Sequence, residues 1–259
     1  MGKGGECTPA ARRNLVPEAV SPYLGRMGDK LPDAKGRTDI DAFLGRLAVT
    51  PPPAVVGGRG RLIFALDATA SREGTWTQAQ ALHAEMFSAA AALGGLEVQL
   101  VYYRGMGECR ASGWTASPDR LLGLLGKVAC IGGETQIRKV LRHALDEAAK
   151  GPVHALVFVG DSMEENVDAL CALAGEMGLR GVPAFLFHEG QDPVAARAFA
   201  QLAKLSGGAS CRFDAGAPDQ LRALLRAVAV FAAGGRKALA ELGRREGGVI
   251  QRLTHQMGD

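Results

Sequence analysis

Short apolar runs alternate with longer amphipathic segments between about residues 61 and 235. The runs are mostly apolar, which is typical of parallel strands covered on both faces. The predicted strands are Leu62–Leu66, Leu96–Tyr102, Val153–Val159, Pro183–Phe187 and a weaker candidate at Cys211–Phe213. Met106–Trp114 follows the second strand too closely for a helical crossover, so an antiparallel edge strand is expected there.

Between these strands, apolar residues recur every three or four positions, which predicts helices. The predicted buried faces are Ala79, Leu82, Met86, Ala90 and Leu93; Ile137, Val140, Leu141, Ala144 and Leu145; Val167, Leu170, Ala174 and Met177; Val194, Ala198, Phe199 and Leu202; and Leu221, Leu224, Leu225 and Val228. The pattern therefore predicts an α/β fold with three layers: a doubly wound, mostly parallel sheet with one short antiparallel edge strand, and helices on both faces.

The two ends of the chain differ from this central region. Residues 1–60 hold 7 of the 12 prolines, and we predict a flexible Pro/Gly-rich arm there. Inside it, Thr38 is predicted to cap a short amphipathic helix near 39–48 that ends before Pro51–Pro53. Its apolar face, Ile40–Leu47, must be buried either on its own domain or in a partner's groove. Residues 61–235 form the predicted domain, and 236–259 a basic helix and tail.

Composition narrows the class of protein without naming an activity. Apolar residues make up 47% of the 259 positions, charged residues 22%, and the net charge is +3. These values fit a globular domain and give no sign of a nucleic-acid binder. No apolar run approaches the 18 or so residues of a membrane span, and the N-terminus lacks a signal-peptide pattern. Five cysteines without a C-x-x-C motif favour free thiols, so we expect a cytoplasmic protein.

Oxygen-bearing side chains follow the predicted strands where a parallel sheet binds its ligands, at the carboxyl ends. Asp67, Thr69 and Ser71 alternate directly after the first strand, so they can project to the same side. Thr135 precedes a predicted helix, and Asp161 follows the strand Val153–Val159. Five hard oxygen ligands suit Mg²⁺, with Mn²⁺ as the alternative.

Each of these residues also has a purely structural interpretation. Ser71 and Thr135 could cap the helices that follow them, and Asp67 could begin a turn. Ser162 and Glu165 fit a capping box, which would leave Asp161 without a role.

Two further pairs lie at strand ends. His188 and Glu189 could contact a partner or simply precede a helix that begins near Asp192, and Tyr102 and Tyr103 could line the rim of the site.

The five residues together resemble the metal-ion-dependent adhesion site of von Willebrand factor type A (VWA) domains, whose pattern is D-x-S-x-S followed by a distant Thr and a distant Asp. Asp67, Thr69, Ser71, Thr135 and Asp161 match it, and the similarity extends over residues 61–235. Thr69 replaces the usual Ser but keeps its hydroxyl, and Ser162 stands where the family often has Gly. The resemblance implies a Rossmann-like fold and a Mg²⁺ site whose last ligand is an Asp or Glu of a partner protein. Bacterial intracellular members often work with AAA+ ATPases or in multi-protein assemblies, and we expect no nucleic acid or membrane as partner.

Two other functions remain open. Haloacid dehalogenase-type phosphatases also place a carboxylate after the first strand beside Mg²⁺, but they need a second aspartate two residues later, where this chain has Thr69. A structural assembly protein with a vestigial site would instead use the helix near 39–48. An enzyme is thus the less favoured class. No dinucleotide fingerprint follows the first strand, and the chain has no P-loop.

Overall fold

The computed structural model describes residues 34–50, 59–74, 76, 96–213 and 218–245. The strands are β1 (Gly60–Asp67), β2 (Leu96–Arg104), β3 (Glu108–Ala111), β4 (Ala155–Gly160), β5 (Ala184–Glu189) and β6 (Ala209–Phe213). The helices are α1 (Ala34–Val49), α2 (Pro118–Leu125), α3 (Ile137–Lys150), α4 (Val167–Leu179), α5 (Pro193–Ser206) and α6 (Pro218–Arg245).

The strands form one sheet in the order β3-β2-β1-β4-β5-β6. All neighbouring pairs are parallel except β2 and β3, which pair antiparallel at one edge. The predicted fold class, including the antiparallel edge strand, is confirmed. Chain order reverses between β1 and β4, so their carboxyl ends flank the place where open α/β sheets bind ligands.

Helices cover both faces of the sheet and bury two separate apolar cores. Alternate residues of β1 point to opposite faces: Leu62, Phe64 and Leu66 to one, Ile63 and Ala65 to the other. The first face packs against α1, α2 and α6, and the second against α3, α4 and α5. This double burial explains why the central strands β1 and β4 are almost entirely apolar.

The predicted helix faces are largely correct. All five residues predicted on the face of α3 are buried, and Asp192 caps α5 by accepting a hydrogen bond from the amide of Val194. Val194, predicted on the buried face of α5, is 48% exposed and lies in the first turn of that helix, so this part of the predicted face is wrong. The short helix α2 was not predicted. The helix predicted over residues 79–93 lies outside the described residues.

Helix α1 packs on its own domain. It begins at Ala34, so Thr38 lies inside the helix instead of capping it, and the expected N-terminus was wrong. The ring of Phe43 contacts the rings of Phe185 and Phe187 on β5, at centroid distances of 6.0 and 5.2 Å. The sheet therefore provides the apolar surface that this helix needs.

Helix α6 bends at Gly235, whose φ of 64° and ψ of −160° interrupt the helical backbone. The predicted boundary between domain and basic tail falls at this bend, and the division of the chain at residues 60 and 235 stays a prediction. Among the helices that the structure describes, none is long and apolar enough to cross a membrane.

Candidate metal centre

The site lies where the carboxyl ends of β1 and β4 meet. Asp67 is the last residue of β1, and Asp161 follows Gly160 at the end of β4. A Cβ on Gly160 would stand 3.5 Å from Cβ of Asp67 and closer still to the ring of Phe158, so the glycine lets the two loops approach. The predicted neighbourhood of Asp67 and Asp161 is therefore present.

Asp67 is fully buried and both of its carboxylate oxygens accept hydrogen bonds. Oδ1 accepts from the amide of Thr69 at 2.8 Å, and Oδ2 accepts from the hydroxyl of Tyr103 at 2.8 Å. Burial raises the pKa of Asp67, the hydrogen bonds to Thr69 and Tyr103 oppose that rise, and the nearby charge of Asp161 adds to it. A cation between the two aspartates would relieve this cost.

The hydroxyls of Thr69 and Ser71 lie side by side, with 3.0 Å between Oγ1 and Oγ. A 3₁₀ turn over Ala70–Arg72 produces this pairing, because it brings the chain back on itself directly after the strand. Thr69 stands at the start of the turn with an extended backbone, and its side chain makes no capping bond. Both hydroxyl oxygens are thus held together beside Asp67.

Thr135 is held by the loop that follows β4. Its amide donates to Oε2 of Glu164 at 3.2 Å, and its Oγ1 accepts from the amide of Glu164 at 3.1 Å. The N-cap of α3 is Gln136, so the alternative that Thr135 caps this helix is wrong. No hydrogen bond joins Thr135 directly to Asp67 within the described residues.

Glu165 caps α3 from the neighbouring loop. Its carboxylate accepts hydrogen bonds from the amides of Ile137 and Arg138. The N-cap of α4 is Asn166, which accepts from the amide of Ala169 at 2.9 Å. The capping box expected between Ser162 and Glu165 is therefore wrong, and it no longer accounts for Asp161.

A third contact joins the loop before α3 to the first loop. The amide of Ile131 donates to the carbonyl of Ala68 at 3.0 Å, and a Cβ on Gly132 would stand 3.9 Å from Cβ of Ala70. Together with the bonds between Thr135 and Glu164, this contact links all three loops that carry the predicted ligands.

Asp161 carries a polar atom without a partner. Its Oδ1 is buried and makes no hydrogen bond within the described residues, whereas its carbonyl accepts from Nε2 of His188 at 3.2 Å. A buried oxygen of this kind needs an explanation, and an ion is one. Two carboxylates and three hydroxyls are donors that fit a hard cation such as Mg²⁺. No group of three or more His, Cys, Asp or Glu side chains that could hold a metal ion occurs in the described parts of the chain, so the proposed ligands depend on hydroxyls as well as carboxylates.

Comparison with known proteins identifies the fold. No family model and no curated protein matches the chain. Among solved structures, the SpRpn10 VWA domain aligns with a TM-score of 0.53 at 13% identity, over 64% of this chain and 94% of that one. This protein has a VWA-like fold.

Two other structures with the VWA-like fold align similarly. A von Willebrand factor type A protein from Catenulispora acidiphila has a TM-score of 0.54 at 14% identity, over 67% of this chain and 43% of that one. The structure of proximal thread matrix protein 1 from the mussel byssus has a zinc-occupied MIDAS motif. It aligns with a TM-score of 0.54 at 12% identity, over 66% of this chain and 46% of that one. The alignment spans less than half of both of these chains, and at such identities the likeness concerns the fold.

Sequence reasoning missed three residues that support this region of the VWA-like fold: Tyr103, Glu164 and Arg72. Tyr103 was expected at the rim but is buried and bonded to Asp67. The parallel register that pairs Asp67 with Tyr103 could have indicated this contact, since both residues lie near the ends of neighbouring strands. Nothing in the spacing of Glu164 or Arg72 points to their contacts.

His188 and Glu189 were expected on the ligand face, where a partner could reach them. Both are buried, with 2% and 7% of their surface exposed, so the alternative that they contact a partner is wrong. Burial lowers the pKa of His188, and its bond to the carbonyl of Asp161 opposes that change. Glu189 forms an ion pair with Arg72, at 2.6 Å between Oε2 and Nη2.

Proposed function

We propose that this protein is a Mg²⁺-dependent protein-interaction module. Asp67, Thr69, Ser71, Thr135 and Asp161 would hold the cation, and an Asp or Glu side chain of a partner would complete its coordination. The bound metal would supply a positive centre for that carboxylate. Mn²⁺ is the alternative metal. We further propose a cytoplasmic setting and a partner such as an AAA+ ATPase or a multi-protein assembly.

The main support is the unpartnered Oδ1 of Asp161 at the carboxyl edge of the sheet, beside the carboxylate of Asp67. The hydroxyl pair of Thr69 and Ser71 lies in the loop that begins at Asp67. The two carboxylates repel one another, and a divalent cation removes that repulsion. The zinc-occupied MIDAS motif of the mussel protein shows that a VWA-like fold can hold a metal in such a motif.

The chemistry of the ligands favours an acidic partner. Three of the five proposed ligands are neutral hydroxyls, and the charge of Asp67 is already engaged by Tyr103 and by the amide of Thr69. A cation held in this way stays attractive to an additional carboxylate from outside. Release of the partner would then follow removal of the metal.

A phosphatase role for Asp67 has less support. A nucleophilic carboxylate must be reached by its substrate, yet the Asp67 side chain is fully buried. The position two residues later is Thr69, which cannot act as the general acid of that mechanism.

Titration calorimetry with MgCl₂ tests the proposal. Wild-type protein and Ser162→Ala should both bind Mg²⁺, because the Ser162 hydroxyl is not a proposed ligand. Asp67→Ala and the milder Ser71→Ala should show loss or clear weakening of binding. Equal binding by all four proteins would contradict the proposed site.

Capture experiments test the interaction itself. Immobilised wild-type protein should retain a partner in Mg²⁺ and release it when EDTA is added, whereas Ser71→Ala should retain little under either condition. Mg²⁺-dependent turnover of p-nitrophenyl phosphate by wild type, lost in Asp67→Asn, would instead favour the phosphatase.

A further inference from the structure

The guanidinium of Arg72 lies buried beneath the first loop and contacts three strands. Its Nη1 donates to the carbonyl of Val159 on β4 at 3.2 Å and, at 3.5 Å, to the carbonyl of Asp67 on β1. Its Nη2 lies 2.6 Å from Oε2 of Glu189, the last residue of β5. The exposed fractions of the two side chains are 1% and 8%.

The end of β5 also contacts the second loop. Nε2 of His188 donates to the carbonyl of Asp161 at 3.2 Å. Adjacent residues of one strand therefore touch both proposed metal loops: Glu189 through Arg72, and His188 directly. His188 and Glu189 thus have a role inside the molecule.

We propose that the Arg72–Glu189 ion pair is a positioning device that fixes the loop of Asp67, Thr69 and Ser71 against β4 and β5. The inference rests on the proposed function in one respect: its expected consequence is a change in Mg²⁺ affinity. Arg72 follows Ser71 directly, so fixing its guanidinium restrains the backbone next to a proposed ligand. Neither Arg72 nor Glu189 is itself a ligand.

The free energy of buried ion pairs favours a role in orienting the loop over a role in stabilising the fold. A buried ion pair often adds no more stability than two well-packed apolar residues, because both charges lose their hydration. What apolar residues cannot replace is the set of fixed directions from one planar guanidinium to a carboxylate and two carbonyls. Lysine cannot replace it either, since its ammonium is a single point on a flexible stem.

The decisive variant is the double substitution Arg72→Met with Glu189→Leu, which removes both charges and keeps apolar volume. Glu97→Gln is the matched control, because it breaks the 2.9 Å ion pair of Arg61 and Glu97, which pair across β1 and β2 near the amino ends of these strands. Circular dichroism and thermal unfolding establish that each protein folds. Should the double variant fail to fold, Arg72→Lys is measured in the same way and decides the question.

The first measurement needs no metal. Amide hydrogen exchange of metal-free protein reports on the loop through the hydrogen-bonded amides of Ala68, Thr69 and Arg72. We expect these amides to lose protection in the double variant and in Arg72→Lys, while β5 and β6 keep theirs. In Glu97→Gln the loop should exchange as in wild type.

The second measurement is Mg²⁺ affinity by calorimetry. Loss of groups that orient metal ligands typically weakens metal binding by about ten- to a hundred-fold, and we expect a rise in Kd of that size. Unchanged loop protection in a folded variant overturns the positioning role. If wild type itself binds no Mg²⁺, the proposed function fails, and the exchange data still decide whether Arg72 positions the loop.

Discussion

The hydroxyl of Tyr103 donates a 2.8 Å hydrogen bond to Oδ2 of Asp67, and both side chains are fully buried. The parallel register of β1 and β2 places the two residues opposite each other. Burial, with the charge of Asp67 second, raises the pKa of Tyr103 well above its usual value, so the phenol remains a donor at neutral pH. The bond therefore holds the carboxylate in one orientation.

We expect Tyr103→Phe to lower the free energy of unfolding by about 1–3 kcal/mol, because one oxygen of a buried carboxylate is left without its donor. Urea denaturation of metal-free protein measures this loss. Tyr102→Phe is the control, since Tyr102 is only partly buried. A loss no larger than that of the control would contradict the prediction.

Substitution of Thr69 tests whether its hydroxyl binds metal. Thr69→Ser keeps the hydroxyl and should bind Mg²⁺ as wild type does. Thr69→Val keeps the shape but removes the oxygen, so Mg²⁺ binding should weaken. The comparison is informative because Thr69→Ser keeps a hydroxyl that can bond to Ser71 and Asp67, as the Thr69 side chain does, whereas Thr69→Val removes it. The measurement is the rise in melting temperature when Mg²⁺ is added. At a given Mg²⁺ concentration, this rise is larger for a protein that binds the ion with a lower Kd. Equal rises in both variants would exclude a metal-ligating hydroxyl.

The sheet could be predicted because its inner strands β1, β4 and β5 are buried on both faces and therefore consist mostly of consecutive apolar residues. The clustering of Asp67 and Asp161 could be predicted too, since both follow parallel strands of one sheet. The supporting contacts could not. Glu165 caps a helix that begins 28 residues earlier in the chain, and Arg72 meets Glu189 across two loops. Such bonds depend on loop geometry, which local residue patterns do not encode.

Gly133 is expected to be intolerant of a side chain. The carbonyl of Gly105, in the turn between β2 and β3, occupies the place where a Cβ on Gly133 would stand. Gly133→Ala must displace the loop that leads to Thr135 and should destabilise the protein by about 1–3 kcal/mol. Gly132→Ala is the matched control, because its Cβ would meet nothing nearer than 3.9 Å. Urea denaturation should separate the two variants, and equal stability would show that the loop yields without cost.

His143 should make stability depend on pH. Its Nε2 lies 2.8 Å from Oε1 of Gln99, whose amide nitrogen donates to the carbonyl of Ser112, so Nε2 is the donor. Burial lowers the pKa of His143 below its usual 6.5, and the charge of Lys150 lowers it further. The charges of Glu147 and Asp146 raise this pKa and only partly offset the effect of burial.

Because the folded protein binds this proton less readily than the unfolded chain, the stabilisation from His143 is complete above pH 6.5 and declines as the pH falls below it. We therefore expect the stability of His143→Gln to fall less than that of wild type between pH 7.5 and pH 5. The unfolding midpoint in urea measures the stability at each pH. The same pH dependence in both proteins would contradict the assignment.

The burial of α1 against the sheet decides whether this helix can bind a partner. Phe43 is 1% exposed and contacts Phe185 and Phe187, so Phe43→Ala should cost about 3–5 kcal/mol. Val49→Ala, at a position 69% exposed on the same helix, should change stability little. Both variants are compared by urea denaturation and by sedimentation. If Phe43→Ala kept wild-type stability but changed the oligomeric state, α1 would be an assembly helix and not a part of the domain core.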